Sequence, residues 1–332
     1  MTHPIPPGTR DILPDEMREL RALQARLAAV FESFGYGEVA TPTVEYDETL
    51  ARGGDSAGAP AAHRFFSDRG ELLAMRADMT VPIARLVANR YQGAELPVRL
   101  FYNARAYRAV RPQRGQMGEF FQAGIELVGA EAPRGTVEAI EVLSAALEAA
   151  GLGRAVIGLG DAALYKQLLA ELGVDDDAGA TLLDLLAAHD LVGLDVALGR
   201  LDLTEPERGL LGAVPTLRGG PEVLDRARAL GGEAMGRALE GLGATYEGLA
   251  ERGIADRVRL DLGLLRDLGY YTGAILEVYD PALGHVLGGG GRYDELMGRF
   301  GRPLPAVGFA LYLERVHVAQ AEEERIAREG SA

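Results

Sequence analysis

The sequence has no cysteine and a single lysine, and each scarcity removes a class of chemistry. Without cysteine there is no disulfide, no thiolate metal ligand and no thiol nucleophile. The one lysine, Lys166, stands in the context Leu-Tyr-Lys-Gln and does not complete a phosphate-binding GxxxxGK[S/T] loop. Neither a P-loop nor a lysine Schiff-base mechanism has another candidate.

Long apolar runs and clustered histidines are also absent. No apolar run approaches the roughly 18 residues typical of a membrane-spanning helix. The opening MTHPIPPGTRDILP lacks the basic-then-apolar pattern of a signal peptide. The 5 histidines are scattered without ligand-like spacing, so the sequence does not indicate a metal site. We therefore expect a cytoplasmic protein without a membrane segment or a bound metal.

The composition is that of an ordinary globular protein, with 332 residues, 48% hydrophobic and 25% charged. This length allows one large domain or two modest ones. The formal net charge of −15 works against nonspecific adhesion to nucleic acid or anionic membranes. A local basic patch could still make a specific tRNA contact on such a protein.

Periodicity predicts blocks of strands and helices rather than strict alternation. Apolar spacings of three and four predict a helix over 15–34. The predicted strands are 38–44 (interrupted by Pro42), 97–109, 119–128, 156–160, 258–262, 274–279, 285–289 and 305–309, with 97–109 and 119–128 forming a long antiparallel hairpin. Further helices are predicted over 82–91, over 135–150 and from near 311. This order favours an α+β fold with helices flanking an antiparallel sheet.

The chain also divides by composition. Residues 162–250 are almost wholly helical in pattern and carry no identifiable chemistry. We therefore predict a discontinuous core domain (1–160 and 256–320), a helical insertion (161–255) and a flexible, charged tail (321–332).

The second hairpin strand carries the first candidate site, because alternate side chains of a strand point to opposite faces. One face is apolar and suits the core: Phe121, Ala123, Ile125 and Leu127. The other carries Phe120, Gln122, Gly124 and Glu126. An amide and a carboxylate with glycine between them leave room for a small ligand on the sheet. The alternative is a strand face exposed to solvent.

Two other segments carry polar candidates. Residues 76–80 place Asp78 and Thr80 before a helix, either as ligand groups or simply as helix-capping residues. Residues 266–273 combine Arg266 with two adjacent tyrosines. That arginine could form a fork-like pair with a carboxylate, or the segment is a surface turn.

Taken in order, these segments resemble histidyl-tRNA synthetase, a class II aminoacyl-tRNA synthetase, over nearly the whole chain. Pro42 stands where the first class II motif, a dimer-interface element, has its proline. The other matching segments are 6–14 (the family's opening), 108–126 (second motif), 266–271 and 289–294 (two histidine-specific signatures) and 308–315 (third motif). The resemblance implies the class II synthetase-like fold and a homodimer.

The resemblance also implies a histidine pocket. Glu126 and Tyr271 match residues that hydrogen-bond the imidazole, and Arg266 matches an arginine near the carboxylate. The residues matching those around the α-amino group are Asp78, which replaces a glutamate, Thr80 and Gln122. Tyr270 lines the pocket, and Arg108 from the second motif completes the predicted ligand set.

The nucleotide half departs from the family pattern. Val110 replaces a glutamate that recognises adenine, and 115–118 lacks two arginines that meet phosphates. Tyr312 replaces a glycine beside the nucleotide and would fill space, although Arg108 and Arg315 remain. These losses imply nucleotide affinity too weak for useful activation of an amino acid.

The sequence ends soon after the third motif, so we expect no anticodon-binding domain and no tRNA partner. These features resemble the synthetase-related regulatory subunits of ATP phosphoribosyltransferase. The resemblance implies a non-catalytic subunit without cofactor, in a hetero-oligomer with the short-form catalytic subunit that condenses ATP with phosphoribosyl pyrophosphate. L-histidine would be the feedback effector of this first step of histidine biosynthesis. The alternatives are a truncated histidyl-tRNA synthetase-like enzyme that activates histidine with ATP, and a free-standing histidine-binding protein.

Overall fold

The computed structural model of the chain describes residues 4–54, 62–109, 117–264 and 270–329. The strands are β1 (Gly37–Glu38), β2 (Val44–Tyr46), β3 (Arg64–Phe66), β4 (Leu72–Met75), β5 (Val98–Tyr107), β6 (Glu119–Val128), β7 (Val156–Asp161), β8 (Arg218–Gly219), β9 (Val258–Asp261), β10 (Ala274–Tyr279), β11 (Val286–Arg292) and β12 (Ala306–Tyr312). The α-helices are α1 (Pro14–Ser33), α2 (Asp47–Ala51), α3 (Thr80–Arg90), α4 (Arg134–Ala149), α5 (Ala162–Glu171), α6 (Asp176–Ala187), α7 (Leu191–Leu198), α8 (Glu205–Ala213), α9 (Glu222–Ala238), α10 (Glu240–Glu251) and α11 (Leu313–Glu329).

Most of the described strands form one large sheet, in the order β1-β5-β6-β12-β11-β10-β7-β9-β8. Its centre is antiparallel, and the pairs β1–β5 and β7–β9 are parallel. A smaller antiparallel sheet has the order β2-β4-β3. The predicted α+β fold on a largely antiparallel sheet is confirmed. None of the described helices has the length and apolarity needed to cross a lipid bilayer.

The predicted strand over 38–44, interrupted by Pro42, is instead two short strands in different sheets. β1 pairs with β5 in the large sheet, and β2 pairs with β4 in the small one. Pro42 lies between them and has no N–H to donate to a strand ladder. The chain therefore leaves one sheet before this proline and enters the other after it.

Helices α1, α4 and α11 cover one face of the large sheet. Leu20, Leu23 and Leu27 of α1 are fully buried in the main core. Phe31 follows on the same helix face, with ring centroids 5.5 Å from Phe101 of β5 and 6.0 Å from Phe309 of β12. The apolar set of β6 predicted from alternation points into this layer, so the opposite face of β6 is available for a site.

The helical segment α5–α10 shares the main core rather than forming an isolated cluster. Tyr165 of α5 donates a hydrogen bond to the carbonyl of Leu211, at 2.9 Å. β8 pairs with β9 and so extends the edge of the large sheet. The division into a core and an insertion stays a prediction.

The expected flexible tail is wrong for 321–329, which continue helix α11. Arg325 pairs with Glu322 and Glu329, and Arg328 pairs with Glu324. Pairs at these i,i+3 and i,i+4 spacings stabilise a charged helix. Residues 330–332 lie outside the described part of the chain.

Candidate functional site

The floor of the candidate site is the sheet face opposite α1, α4 and α11. Register places Tyr102 of β5 opposite Gly124 of β6, and Gly124 opposite Ala310 of β12. The next strand continues this row with Gly289 of β11. Directly opposed residues in antiparallel strands point to the same face. Small residues therefore cover the centre of this face and leave space above it.

Two of the floor glycines have no room for a side chain. A Cβ at Gly308 would lie 1.9 Å from Oε2 of Glu126. A Cβ at Gly124 would lie 2.7 Å from the hydroxyl of Tyr102 and 2.1 Å from the carbonyl oxygen of Phe309. All three contacts are shorter than van der Waals separation, so glycine at these positions lets the polar groups approach the sheet closely.

Glu126 is the buried carboxyl at the centre of the site, with 1% of its surface exposed. Its Oε1 accepts a hydrogen bond from the Thr80 hydroxyl at 2.8 Å, and its Oε2 accepts one from the Tyr293 hydroxyl. Burial raises the pKa of Glu126 to about 8, although both hydrogen bonds lower it and the charge of Asp78 raises it further. The site therefore favours the protonated form of this carboxyl at neutral pH.

Asp78 and Thr80 stand at the N-terminus of α3 and also line the site. Oδ1 of Asp78 accepts from the backbone N–H of Thr80 at 3.1 Å, which is a helix-capping contact. Burial raises the pKa of Asp78, and the charge of Arg108 lowers it in part. Asp78 therefore accepts N–H groups of the first turn of α3, although Met79 is the N-cap residue, and Asp78 and Thr80 both line the cavity.

Arg108 is held by the protein itself. Its Nε donates to the carbonyl of Ala77 at 3.1 Å, and Nη1 donates to the Tyr312 hydroxyl at 3.4 Å. The guanidinium lies 4.9 Å from the ring centre of Phe120 and 5.6 Å from that of Tyr312. These cation–π contacts fix the arginine against the aromatic wall.

Gln122 carries a buried polar atom that lacks a partner. The side chain is 2% exposed, and its Oε1 accepts no hydrogen bond from any described residue. Leaving such a group unsatisfied costs about 1–3 kcal/mol. Because Gln122 lines the cavity, its oxygen is placed to accept a hydrogen bond from a bound donor.

The cavity among these groups is small, about 30 Å³, whereas an engineered cavity that binds benzene measures about 150 Å³. Tyrosines form much of its wall: Tyr102, Tyr270, Tyr271, Tyr293 and Tyr312. The rings of Tyr270 and Tyr271 are 4.9 Å apart, and Tyr270 meets Tyr293 edge-on at 5.9 Å. A ligand the size of an amino acid can enter only if part of this aromatic wall moves.

The structure brings together all the predicted site residues except Arg266. Glu126 is connected to the cavity by the hydrogen bond that it accepts from Thr80. The other residues line the cavity: Asp78, Thr80, Arg108, Gln122, Tyr270 and Tyr271. Arg266, Val110 and residues 115–116 lie outside the described residues. The solvent-exposed alternative for β6 is wrong, because Gln122 and Glu126 are both buried. The role of these residues in binding stays a prediction.

Tyr102 and Tyr293 were not predicted. Tyr102 lies opposite Gly124 in the β5–β6 hairpin, so exact register between the two predicted strands would have revealed it. Tyr293 belongs to the segment 289–294 already noted, and only its bond to Glu126 identifies its place. Across the described ranges, no cluster of three or more His, Asp or Glu residues could hold a metal ion.

The fold and this site define a histidyl-tRNA synthetase-like protein of class II architecture. The family model described as histidyl-tRNA synthetase matches residues 8–316. A solved ATP phosphoribosyltransferase regulatory subunit/histidyl-tRNA synthetase from Bacillus halodurans C superposes with a TM-score of 0.89 at 32% identity, over 96% of this chain and 84% of that one. A histidine–tRNA ligase subunit from Alicyclobacillus acidocaldarius gives 0.82 at 31% identity, over 98% and 99%.

The curated relatives narrow this class. The ATP phosphoribosyltransferase regulatory subunit of Moorella thermoacetica is 43% identical over 96% of this chain and 82% of its own length. The chain belongs to the family of ATP phosphoribosyltransferase regulatory subunits.

Proposed function

We propose that this chain is a non-catalytic regulatory subunit that supports the first step of histidine biosynthesis and binds L-histidine as a feedback inhibitor. The observation that carries the proposal is the buried Glu126 beside the unpaired Gln122 oxygen, on a glycine floor. Such a site favours a small, polar, donor-rich ligand over water alone.

The polar groups of the site suit the three charged or polar ends of histidine. Glu126, with Tyr271, would accept an imidazole N–H. Asp78 and the Gln122 oxygen would accept from the α-ammonium group. The carboxylate needs a cation, for which we propose Arg266 together with Arg108. Anionic groups thus face the cationic parts of the ligand, as a low-dielectric site requires.

The same site is poorly arranged for an adenylation reaction. Arg108 is stacked on Phe120 and Tyr312 and donates to the carbonyl of Ala77. Only the remaining N–H donors of this guanidinium are available to an anion, which suits a single carboxylate better than a triphosphate. The Tyr312 ring also occupies space beside the guanidinium. These observations support a binding subunit and argue against the alternative of a truncated histidine-activating enzyme.

Regulation would follow from linkage between two arrangements of the complex. Since the cavity is about 30 Å³, histidine must displace part of the tyrosine wall when it binds. If the displaced tyrosine wall favours an inactive arrangement of the complex, histidine shifts the population toward that inactive arrangement. A coupling of about 1–3 kcal/mol is sufficient. The proposed partner is the short-form catalytic subunit in a cytoplasmic hetero-oligomer containing a homodimer of this chain, without tRNA.

The test is the rate of phosphoribosyl-ATP formation by a short-form catalytic subunit from the same genome, with and without this chain, titrated with histidine. We expect the chain to raise the rate and histidine to lower it again. Histidine-dependent ATP–pyrophosphate exchange would instead support the synthetase-like alternative. Histidine binding without any effect on the rate would support a free-standing binding protein.

Substituting Gly308 tests the floor of the pocket. In Gly308→Ala, the new Cβ would lie 1.9 Å from Oε2 of Glu126, so the carboxyl or the strand must shift. We expect histidine affinity, measured by calorimetry, to fall by at least about tenfold, or roughly 1.4 kcal/mol.

Gly241→Ala is the matched control, because no atom lies within 4 Å of a Cβ there and Gly241 is in helix α10. Alanine favours a helix over glycine, so this variant should bind histidine normally. Equal histidine affinity in Gly308→Ala and Gly241→Ala would contradict the placement of the pocket.

A further inference from the structure

A second cavity lies on the other side of the Tyr270–Tyr271 pair. Its volume is about 330 Å³, within the range of small-molecule sites (roughly 300–1,000 Å³). Helix α5 and the helical turn Met297–Phe300 contribute to its lining. Tyr270 and Tyr271 line both this cavity and the smaller site around Glu126. The two cavities therefore share this aromatic pair as part of their walls.

The cavity contains the only lysine of the chain. Lys166 is exposed on α5 and makes no hydrogen bond or ion pair with any residue in the described ranges. An unpaired ammonium at the wall of a cavity this size is available to an anionic ligand.

Arg299 supplies a second cation to the same cavity, and its position is fixed. Its Nη1 donates to the carbonyl of Arg52 at 3.1 Å, and Nη1 of Arg52 donates back to the carbonyl of Arg299 at 3.1 Å. The Arg52 guanidinium lies 5.6 Å from the ring centre of Phe300. These two hydrogen bonds orient the Arg299 side chain. Only Nη1 of its guanidinium donates to a described residue.

The remaining polar groups favour an anion with several oxygens. The Thr272 hydroxyl accepts from the backbone N–H of Asp294 at 2.9 Å, which leaves its proton to donate. Gln167 adds an amide, and Glu295 is the one carboxylate among the described residues of the lining. Among those residues, two cations against one anion make this wall locally positive on a chain of net charge −15. A locally positive wall attracts small anions to the cavity.

We propose that this cavity binds a phosphoryl group, as inorganic phosphate or pyrophosphate or as part of a small phosphorylated molecule. A phosphoryl group presents three strong acceptor oxygens, which match an ammonium, a guanidinium and a hydroxyl. Because the tyrosine pair also walls the Glu126 site, the anion changes histidine affinity, and histidine changes anion affinity by the same factor. This coupling rests on the proposed function, whereas the anion site does not.

The test is calorimetric titration of the full chain, in phosphate-free buffer, with inorganic phosphate and with pyrophosphate. We expect Lys166→Ala to weaken binding by about tenfold or more and Lys166→Arg to retain it. Arg200→Ala removes one exposed cation outside the cavity lining and is the control for net charge. Equal binding of the two phosphate probes indicates a site for one phosphoryl group, and tighter pyrophosphate binding indicates an extended one.

Two results would overturn the proposal: no binding of either probe at millimolar concentration, or equal binding by Lys166→Ala and Arg200→Ala. Histidine titrated into the same samples separates the two hypotheses. Histidine binding without anion binding contradicts the anion site alone. Anion binding without histidine binding contradicts the proposed function alone.

Discussion

Replacing Glu126 with alanine should abolish inhibition by histidine at concentrations that inhibit the native complex, while the chain still activates the catalytic subunit. The carboxyl is buried and holds the Thr80 and Tyr293 hydroxyls in place. Removing it deletes the proposed imidazole acceptor and leaves two buried hydroxyls without their acceptor. Loss of a hydrogen bond to a charged group costs about 1.5–3 kcal/mol, or roughly 10- to 150-fold in affinity.

Two further variants make this result interpretable. Glu126→Gln keeps the shape of the side chain but not its ability to carry charge, so it should also weaken histidine binding without opening a cavity. Glu148→Ala removes an exposed carboxylate from α4 and should behave as the native chain. The measurement is the histidine concentration for half-inhibition of phosphoribosyl-ATP formation. Persistent inhibition of the Glu126→Ala complex at normal histidine concentrations would show that histidine binds elsewhere.

The β6 strand shows how far sequence alone can go. Alternation along 119–128 correctly separated an apolar face from a face carrying Gln122 and Glu126, because strand side chains have a strict period of two. The same rule could not show that the polar face is buried. That burial comes from α3 and from the tyrosines around 270 and 293, which are far away in sequence.

Other features depended on contacts that no local pattern contains. Tyr293 approaches Glu126 across 167 positions of sequence, and only the register of β6, β12 and β11 brings them together. The charged run after 321 is predicted to be flexible, but its spacing of opposite charges supports a helix.

Lys166 fits no phosphate-binding loop in the sequence, although the structure places it at a cavity with Arg299. A motif describes neighbours in sequence, and that cavity is built from segments more than a hundred residues apart.

The site also predicts how histidine affinity should depend on pH. Burial raises the pKa of Glu126 to about 8, and Asp78, whose own pKa is raised by burial, adds to that effect. The free imidazole of histidine titrates near about 6.5. In the complex, one proton is shared between the carboxyl and the imidazole. Binding is therefore favoured where the free carboxyl is protonated and the free imidazole is neutral, between about pH 6.5 and 8.

Outside this window the affinity should fall about tenfold per pH unit. Below it, binding must release a proton from the imidazolium–carboxyl pair, and above it, binding must take one up. Calorimetry across a pH series, in buffers of different ionisation enthalpy, measures both the affinity and this exchange. Glu126→Gln should lose the alkaline decline near pH 8, which separates this carboxyl from the ligand's own amino group. A native affinity that stays constant through pH 9 would contradict the assignment.

The same carboxyl should make the empty protein less stable in alkali. Because its pKa is higher in the folded chain than in the unfolded chain, its stabilising contribution is complete below the unfolded pKa of about 4.5 and is lost as pH rises through about 8. Glu126→Gln has no such proton to lose. Its free energy of unfolding, measured in urea, should therefore decline less than that of the native chain between about pH 6 and 9, a range that includes this pKa. Added histidine should stabilise the native chain more than Glu126→Gln at alkaline pH, because the bound imidazolium compensates the charge of the ionised carboxylate.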